Sequence, residues 1–230
     1  MSELSPNFGC VVLTQGKRPD QLEKAVNSLL AQVNVKVDVV VVGNGWKPEN
    51  LPQNVKSVHI SENLGIPAGR NAGINSVTGD LLFFLDDDVY LQDLHTLEKI
   101  YQEFVSRPKV ALIQPQPKDP NGLKTPRRWI PRINTKNPDR SSHIFSLWEG
   151  ATTVRRDVLQ KVGLWPYEYF YGHEGVDLVW RIWDLGFKCW YSGHIVVSHP
   201  AVEPEKRHKI YYQYQARNRV LSVSYTHLRA

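Results

Sequence analysis

Apolar residues follow two rhythms along this chain. Compact apolar runs at 8–13, 37–42, 81–85 and 110–113, with a shorter mixed run at 55–60, read as short strands of a largely parallel sheet, buried on both faces. Between them the spacing turns helical. Pro19 stands at the favoured first position of a helix, and Leu22, Ala25, Val26, Leu29 and Leu30 repeat along one face. A second helix is expected to lead out of the glycine-rich 62–73 segment through Val77, with Gly79-Asp80 turning into the central strand. A third covers 94–105, with Leu94, Leu97, Tyr101 and Phe104 on one stripe. Beyond it, 156–162 is a short helix closed by Gly163. The stretch from Glu174 carries Leu178, Val179, Ile182 and Leu185 at helical spacing. Residues 186–191 and 195–200 read as two short strands, and a basic, Tyr-rich helix starts at Glu205. A strand–helix–strand opening predicts a parallel pair, which brings the loops after its strands to one edge of the sheet.

The run at 81–85 ends abruptly in Asp86-Asp87-Asp88. Ligands of open α/β sheets bind at the carboxyl ends of strands. Three adjacent carboxylates repel one another unless a cation or solvent offsets them. Residues i and i+2 of an extended chain point the same way, so Asp86 and Asp88 can face one ligand together. Hard oxygen donors at that spacing suit Mg²⁺ or Mn²⁺ completed by a diphosphate; taken alone, a solvated acidic turn fits as well. An EF-hand does not fit, because Leu91 stands where its turn needs Gly and Leu97 where its bidentate Glu belongs.

Composition narrows the partners. The formal charge of +5 and pI near 9.1 favour anionic ligands such as nucleotide diphosphates, or an anionic membrane surface. The absence of a dense Lys/Arg run argues against nucleic acid as the main partner. Met1 to Asn7 is polar rather than a signal peptide, and no apolar run approaches the roughly 20 residues of a membrane span. Cys10 and Cys189 lie in apolar, strand-like contexts and read as buried reduced thiols, consistent with the cytoplasm. Residues 114–140 hold six prolines and the basic residues Arg127, Arg128 and Arg132 around Trp129. This long loop region divides a nucleotide-binding half, 1–116, from an acceptor-binding and catalytic half, 117–230, within one continuous domain. The first strand leads into Thr14-Gln15-Gly16-Lys17-Arg18 rather than Gly-x-Gly-x-x-Gly, so a nicotinamide enzyme is a poor alternative.

In order, the opening strand at 8–13, the Asn63-Leu64-Gly65 turn, Gly69-Arg70-Asn71-Ala72-Gly73 and Leu85-Asp86-Asp87-Asp88 resemble the family 2 glycosyltransferases. That resemblance spans about 8–220. It implies an α/β GT-A fold: a single mixed, mainly parallel sheet flanked by helices, with a Rossmann-like nucleotide-binding half. It also implies an inverting transfer from a nucleoside-diphosphate sugar (UDP, dTDP or GDP), with Asp86-Asp87-Asp88 as the Asp-x-Asp motif and Mn²⁺ or Mg²⁺ as cofactor. The acceptor class stays open among saccharides, lipid-linked molecules and small molecules. Residues expected at the donor are Thr14, Arg18, Asn44, Arg70, Asp86, Asp87 and Arg217, with Asp86, Asp88 and His199 around the metal. Arg70 can bind phosphate through its planar fork, or pair with Glu62 at the surface.

Two departures from the family matter. An Asp after the second strand usually reads the nucleobase; here the place is Gly43-Asn44, and Asn44, which both donates and accepts, is the substitute. The family's Glu-Asp-x-Asp, whose second acid deprotonates the acceptor, reads Glu174-Gly175-Val176-Asp177. Glu174 is the expected base, at a helix start beside an aromatic loop that excludes water. Asp177 is the alternative, although i, i+4 pairing with Arg181 occupies it, and His173 is a weaker one. His199 ends a strand where the family's metal-binding His stands, whereas His194 and His208 have no such support. The family's Tyr-Tyr…Arg-Asn segment, which covers the nucleotide, matches Tyr211, Tyr212, Arg217 and Asn218. After Val220 the apolar period fades, and the expectation is a truncated or non-native C-terminus. Cytoplasmic location follows from these readings, with peripheral contact at the inner face of the membrane left open. Two other classes remain: a nucleotide-sugar-binding protein without catalysis, which Gly175 permits, and a nucleotidyltransferase, of which Gly16-Lys17-Arg18 is a thin echo.

Overall fold

The computed structural model describes residues 5–123, 125–131, 137–201 and 209–228, with side chains to Val223. One eight-stranded sheet runs in the order β3-β2-β1-β4-β7-β5-β8-β6. Its strands are β1 (Asn7–Thr14), β2 (Lys36–Asn44), β3 (Lys56–Ile60), β4 (Leu81–Asp86), β5 (Val110–Lys118), β6 (Ser142–His143), β7 (Ala151–Arg155) and β8 (Lys188–Ser198). Pairing is parallel from β3 to β4 and between β5 and β8, and antiparallel at β7 and β6. Helices α1 (Pro19–Leu30), α2 (Ile66–Ile74), α3 (Thr96–Ser106), α4 (Arg156–Lys161), α5 (Glu174–Asp184) and α6 (Lys209–Leu228) complete the fold.

The strands between neighbours are buried on both faces, as their unbroken apolar runs require. Cys10, Val11, Val12, Leu82, Phe83 and Phe84 are all fully buried, each large apolar side chain stabilising by roughly 1.5–3 kcal/mol. Both cysteines are free and buried, and burial raises both thiols well above their usual range. Register sets Thr14 opposite Gly43 and Leu13 opposite Asp86. The carboxyl ends of β1, β2 and β4 thus share one edge, as the crossover argument expects.

Several elements differ from the sequence reading. Helix α2 stops at Ile74 rather than Val77, because Arg156 donates to the carbonyls of Ile74 (3.2 Å), Val77 (2.9 Å) and Gly79 (2.6 Å) and holds the chain in a turn. Helix α3 starts at Thr96; Leu94 is half exposed, and Ile100 takes its place on the buried stripe. Leu185 is likewise exposed, past the end of α5. Residues 114–118 are strand rather than loop despite Pro115 and Pro117. Beyond Ile113, β5 pairs with β8 alone, so the prolines occupy edge-like positions where no second ladder needs their missing N–H. The two strands expected at 186–191 and 195–200 are one, β8 (Lys188–Ser198), with a register shift opposite Pro115/Gln116. Strands β6 and β7 were not expected. The expected helix start at Glu205, together with His208 and Arg132, lies outside the described residues. Among the described residues no helix is long and apolar enough to cross a membrane.

Candidate active site

The carboxyl edge of the sheet opens into a cavity of about 960 Å³ lined by Arg18, Arg70, Asp86, Asp88, Glu149 and Glu174, among others. Asp86 and Asp88 line it together, as their i, i+2 spacing predicts. Asp87 turns the other way. It is buried, accepts from Thr14 Oγ1 at 2.6 Å and pairs with Arg18 Nη2 at 2.5 Å. Desolvation, partly opposed by Thr14 and Arg18, pushes its carboxyl up to about 6. Arg18 also bonds Asp88, so one half-exposed guanidinium clamps two of the three acids. Thr14 supports Asp87, and its hydroxyl also accepts from Gly16 N at 2.9 Å.

His199 points Nε2 toward Asp88 Oδ1 at 3.5 Å. Trp129 and Trp148 meet its ring edge-on, with centroids 4.4 and 5.3 Å away. Desolvation lowers its pKa despite the acids nearby, which favours the neutral imidazole that a metal requires. Two carboxylates and a neutral imidazole fit Mn²⁺ or Mg²⁺ chemically. Among the described residues, however, no three such side chains converge closely enough to hold an ion by themselves. The remaining ligands would come from the substrate, and Arg18 would have to release Asp88.

Arg70 joins the two sides of the cavity. Only 1% exposed, it donates from Nη2 to Asp86 Oδ1 (2.9 Å) and to the Glu149 carbonyl (3.0 Å), and its Nη1 lies 3.9 Å from Glu174 Oε1. It therefore does not pair with Glu62 at the surface. Beneath it lies the Trp165 ring, 4.7 Å away. Asn71 fixes that Trp through reciprocal bonds to its backbone, 2.8 and 3.0 Å. Glu174 begins α5 and is 2% exposed; its Oε2, like Arg70 Nε and Nη1, has no hydrogen-bond partner among the described residues. Glu149 Oε1 accepts from Gly175 N at 3.0 Å. Desolvation first and the Glu174 charge second push the Glu149 carboxyl up to about 8, and desolvation raises Glu174 as well. Glu149 is the cavity-lining acid that sequence reasoning missed. Its available signal was an acid in the Trp148-Glu149-Gly150-Ala151 stretch, in a chain lacking one at 175.

One wall is an aromatic loop under α6. Phe170 stacks on Tyr214 at 5.1 Å, and Tyr171 meets Tyr211 edge-on at 5.8 Å. Asn218, fully buried, points its amide nitrogen at the carbonyls of Tyr169, Tyr171 and Gly172 (2.8, 2.9 and 2.7 Å). Phe170 and His173 hold positive φ (60° and 70°), and Gly65 does so at 87° with its α-carbon so close to Phe170 that a Cβ there would come within 2.6 Å of the Phe170 carbonyl oxygen. Non-glycine residues pay strain for that conformation, and such strain concentrates at functional sites.

Other expected residues lie elsewhere. Asn44 is buried and does not line the cavity. Its amide donates to Asn63 Oδ1 and Gly65 O and its oxygen accepts from Leu64 N, all at 2.9 Å, so it braces the 63–65 turn instead of meeting a base. Arg217 is exposed and donates to Glu168 O at 3.2 Å; Tyr211, Tyr214 and Gln215 line the cavity from α6 instead. Asp177 bonds Arg181 Nε at 2.6 Å, away from the cavity. His173 lines the cavity at the start of α5, its pKa lowered by desolvation. His194 pairs with Glu103 at 2.9 Å, apart from the site. Arg128 lines the cavity beside Trp129.

The family model described as glycosyl transferase family 2 matches residues 10–163, well over half of the chain. The chain is 26% identical over 198 residues to an uncharacterised glycosyltransferase of Nostoc sp., covering 76% of this chain and 56% of that protein. It is 32% identical over 110 residues to an uncharacterised protein of Haemophilus influenzae, covering 47% of this chain and 60% of that one. It thus spans little more than half the length of these curated relatives. Among solved structures, the mannosyltransferase PcManGT of Pyrobaculum calidifontis in complex with GDP-Man and Mn²⁺ superposes with TM-score 0.66 at 16% identity, covering 87% of this chain and 59% of that one. S. aureus TarS 1-349 with UDP-GlcNAc gives 0.65 at 16% identity, covering 90% and 64%. These likenesses show a common GT-A fold.

Proposed function

The chain belongs to glycosyl transferase family 2, and on that premise we propose that it moves a sugar from a nucleoside-diphosphate sugar to an acceptor hydroxyl in this cavity. The observation that carries the reading is the pair Asp86 and Asp88, turned together into a cavity at the carboxyl edge of β4 with two arginines beside them. The PcManGT complex, with GDP-Man and Mn²⁺, and the TarS complex, with UDP-GlcNAc, support the donor class. UDP, dTDP and GDP are the nucleotides to test. Asp86, Asp88 and His199 would hold Mn²⁺ or Mg²⁺, which when bound supplies positive charge to the diphosphate. Arg70 and, once it has released Asp88, Arg18 add cationic charge on the same side, while Phe170 and Tyr211 limit water. We assign the donor to residues 1–116 and the acceptor to residues 117–230, with a saccharide, a lipid-linked molecule or a small molecule as acceptor. The reaction inverts the anomeric carbon: the acceptor attacks opposite the departing diphosphate and gives its proton to one carboxylate of the Glu149–Glu174 cluster. The setting is cytoplasmic, at the inner membrane face where the acceptor is lipid-linked.

Gly175 supports a second reading, a nucleotide-sugar-binding protein without turnover. The same assay separates the two. Release of nucleoside diphosphate from UDP-, dTDP- and GDP-sugars is followed with Mn²⁺, with Mg²⁺ and with chelator. Metal-dependent release from one donor class is expected; tight nucleotide binding without any release supports the second reading.

A further inference from the structure

We propose that Glu149 is the general base of this chain, its carboxylate standing where the family's acid at position 175 would otherwise stand. The inference rests on the transfer reading above and names the group that receives the proton. Three observations carry it. A Cβ at 175 would overlap Glu149 Oε1 and come within 2.8 Å of its Cδ and Cγ. The glycine and the glutamate are therefore complementary: only the missing side chain at 175 admits the carboxylate from the turn before β7. The Gly175 N–H then holds that carboxylate at 3.0 Å, in the first turn of α5 where the helix dipole favours negative charge. Finally, Glu149 is half-buried on the cavity wall, whereas Glu174 is 2% exposed and sits against buried Arg70.

The charges around Glu149 are consistent with the role. Glu174 and Arg70 face it, with Asp86 beyond on the far side of Arg70 and His173 preceding Glu174. Desolvation and Glu174 raise the carboxyl to about 8, against the pull of Arg70, so it is a stronger base than an exposed glutamate. In the step, the acceptor O–H bond breaks and its proton goes to Glu149. The acceptor oxygen bonds to the anomeric carbon, and the carbon–oxygen bond to the diphosphate breaks with its electron pair leaving on the nucleoside diphosphate. Glu174 is a positioning residue: its charge holds Arg70 between the two acidic groups and keeps the Glu149 carboxyl high.

The test uses hydrolysis of UDP-GlcNAc, GDP-mannose and dTDP-glucose, with water as the probe acceptor, and nucleotide affinity by calorimetry. The variants are E149Q, E174Q, E149A and the double variant E149A/G175D. E149Q is expected to lose roughly 10²–10⁴-fold in turnover while binding nucleotide as the wild type does. E174Q keeps measurable turnover, and its rate–pH profile moves to lower pH because the charge that raises Glu149 is gone. E149A/G175D, which returns the carboxylate to position 175, recovers at least about tenfold over E149A. A wild-type rate in E149Q, or a dead E174Q beside an active E149Q, overturns the assignment and leaves the transfer reading intact. A wild type that binds nucleotide yet releases none from any donor, in any metal, overturns the transfer reading and the assignment together.

Discussion

Two groups of carboxylates stand beside one cavity, and they differ in what offsets their charge. At the end of β4, Asp87 and Asp88 share Arg18, and Asp86 has Arg70. Across the cavity, Glu174 lies 3.9 Å from the far side of that same Arg70, Glu149 accepts from the Gly175 N–H, and one oxygen of Glu174 has no hydrogen-bond partner among the described residues. Desolvation acts on both groups. Beside Thr14 and Arg18 it lifts Asp87 only to about 6, whereas the added charge of Glu174 takes Glu149 to about 8. One group lies against cationic side chains. In the other, desolvation raises both carboxyls. On the proposed function, one wall would stabilise the charge of the diphosphate and the other would receive the acceptor proton.

Removing the residue common to both walls should have the largest effect. Arg70→Met leaves Asp86 and Glu174 without their cation, and loss of one partner from a buried pair costs about 3–5 kcal/mol. Denaturant unfolding should reveal that loss; an unchanged midpoint would mean the two walls are independent. Asp88→Ala strikes the donor wall alone. It should weaken Mn²⁺-dependent nucleotide binding by roughly tenfold or more, about 1.4 kcal/mol, while leaving the Glu149 pH dependence in place. Asn218→Ala releases three loop carbonyls, a loss of about 1–3 kcal/mol. Hydrogen exchange at residues 169–173 should accelerate, and unaltered protection would show that α6 does not secure the loop.

pH distinguishes the walls without mutation. Glu149 has a folded pKa above its unfolded value, so its contribution to stability is fully present below about 4.5 and is lost as pH rises through about 8. Thermal unfolding of the wild type should therefore show a decline across that window that is reduced in E149Q. An equal decline in both would assign the loss to other groups. The smallest effect belongs to Asp177→Asn, which removes the ion pair to Arg181 away from the cavity. It should cost about 1 kcal/mol or less with turnover retained, and a dead enzyme would return Asp177 to the chemistry.

The donor wall was legible in the sequence because each of its features is local. A buried run ending in three acids fixes strand, edge and facing by the period of two. Gly69 and Gly73 were legible for the same reason: a Cβ at 69 would overlap Leu13, and one at 73 would come within 2.6 Å of Val11, so α2 must lie directly on the sheet. The other wall depends on contacts distant in the chain. The Glu149 carboxylate occupies space left by a missing side chain 26 positions later. Strand β7 is short and inserts between β4 and β5, which no local period announces. Asn44 carries the right donors and acceptors, but the 63–65 turn uses them first. Arg217 and Asn218 are neighbours in a matching segment, yet the helix turns one outward and buries the other. Sequence pattern assigns residues to faces; which face a tertiary contact has already occupied is a property of the fold.

The most direct test of the account is calorimetric titration of UDP, dTDP and GDP, with and without Mn²⁺, into the wild type and Asp88→Ala. The account predicts that one nucleotide binds in a metal-dependent manner and that the mutant loses most of that dependence. Equal binding with and without metal, unchanged in the mutant, would contradict a donor site at Asp86 and Asp88.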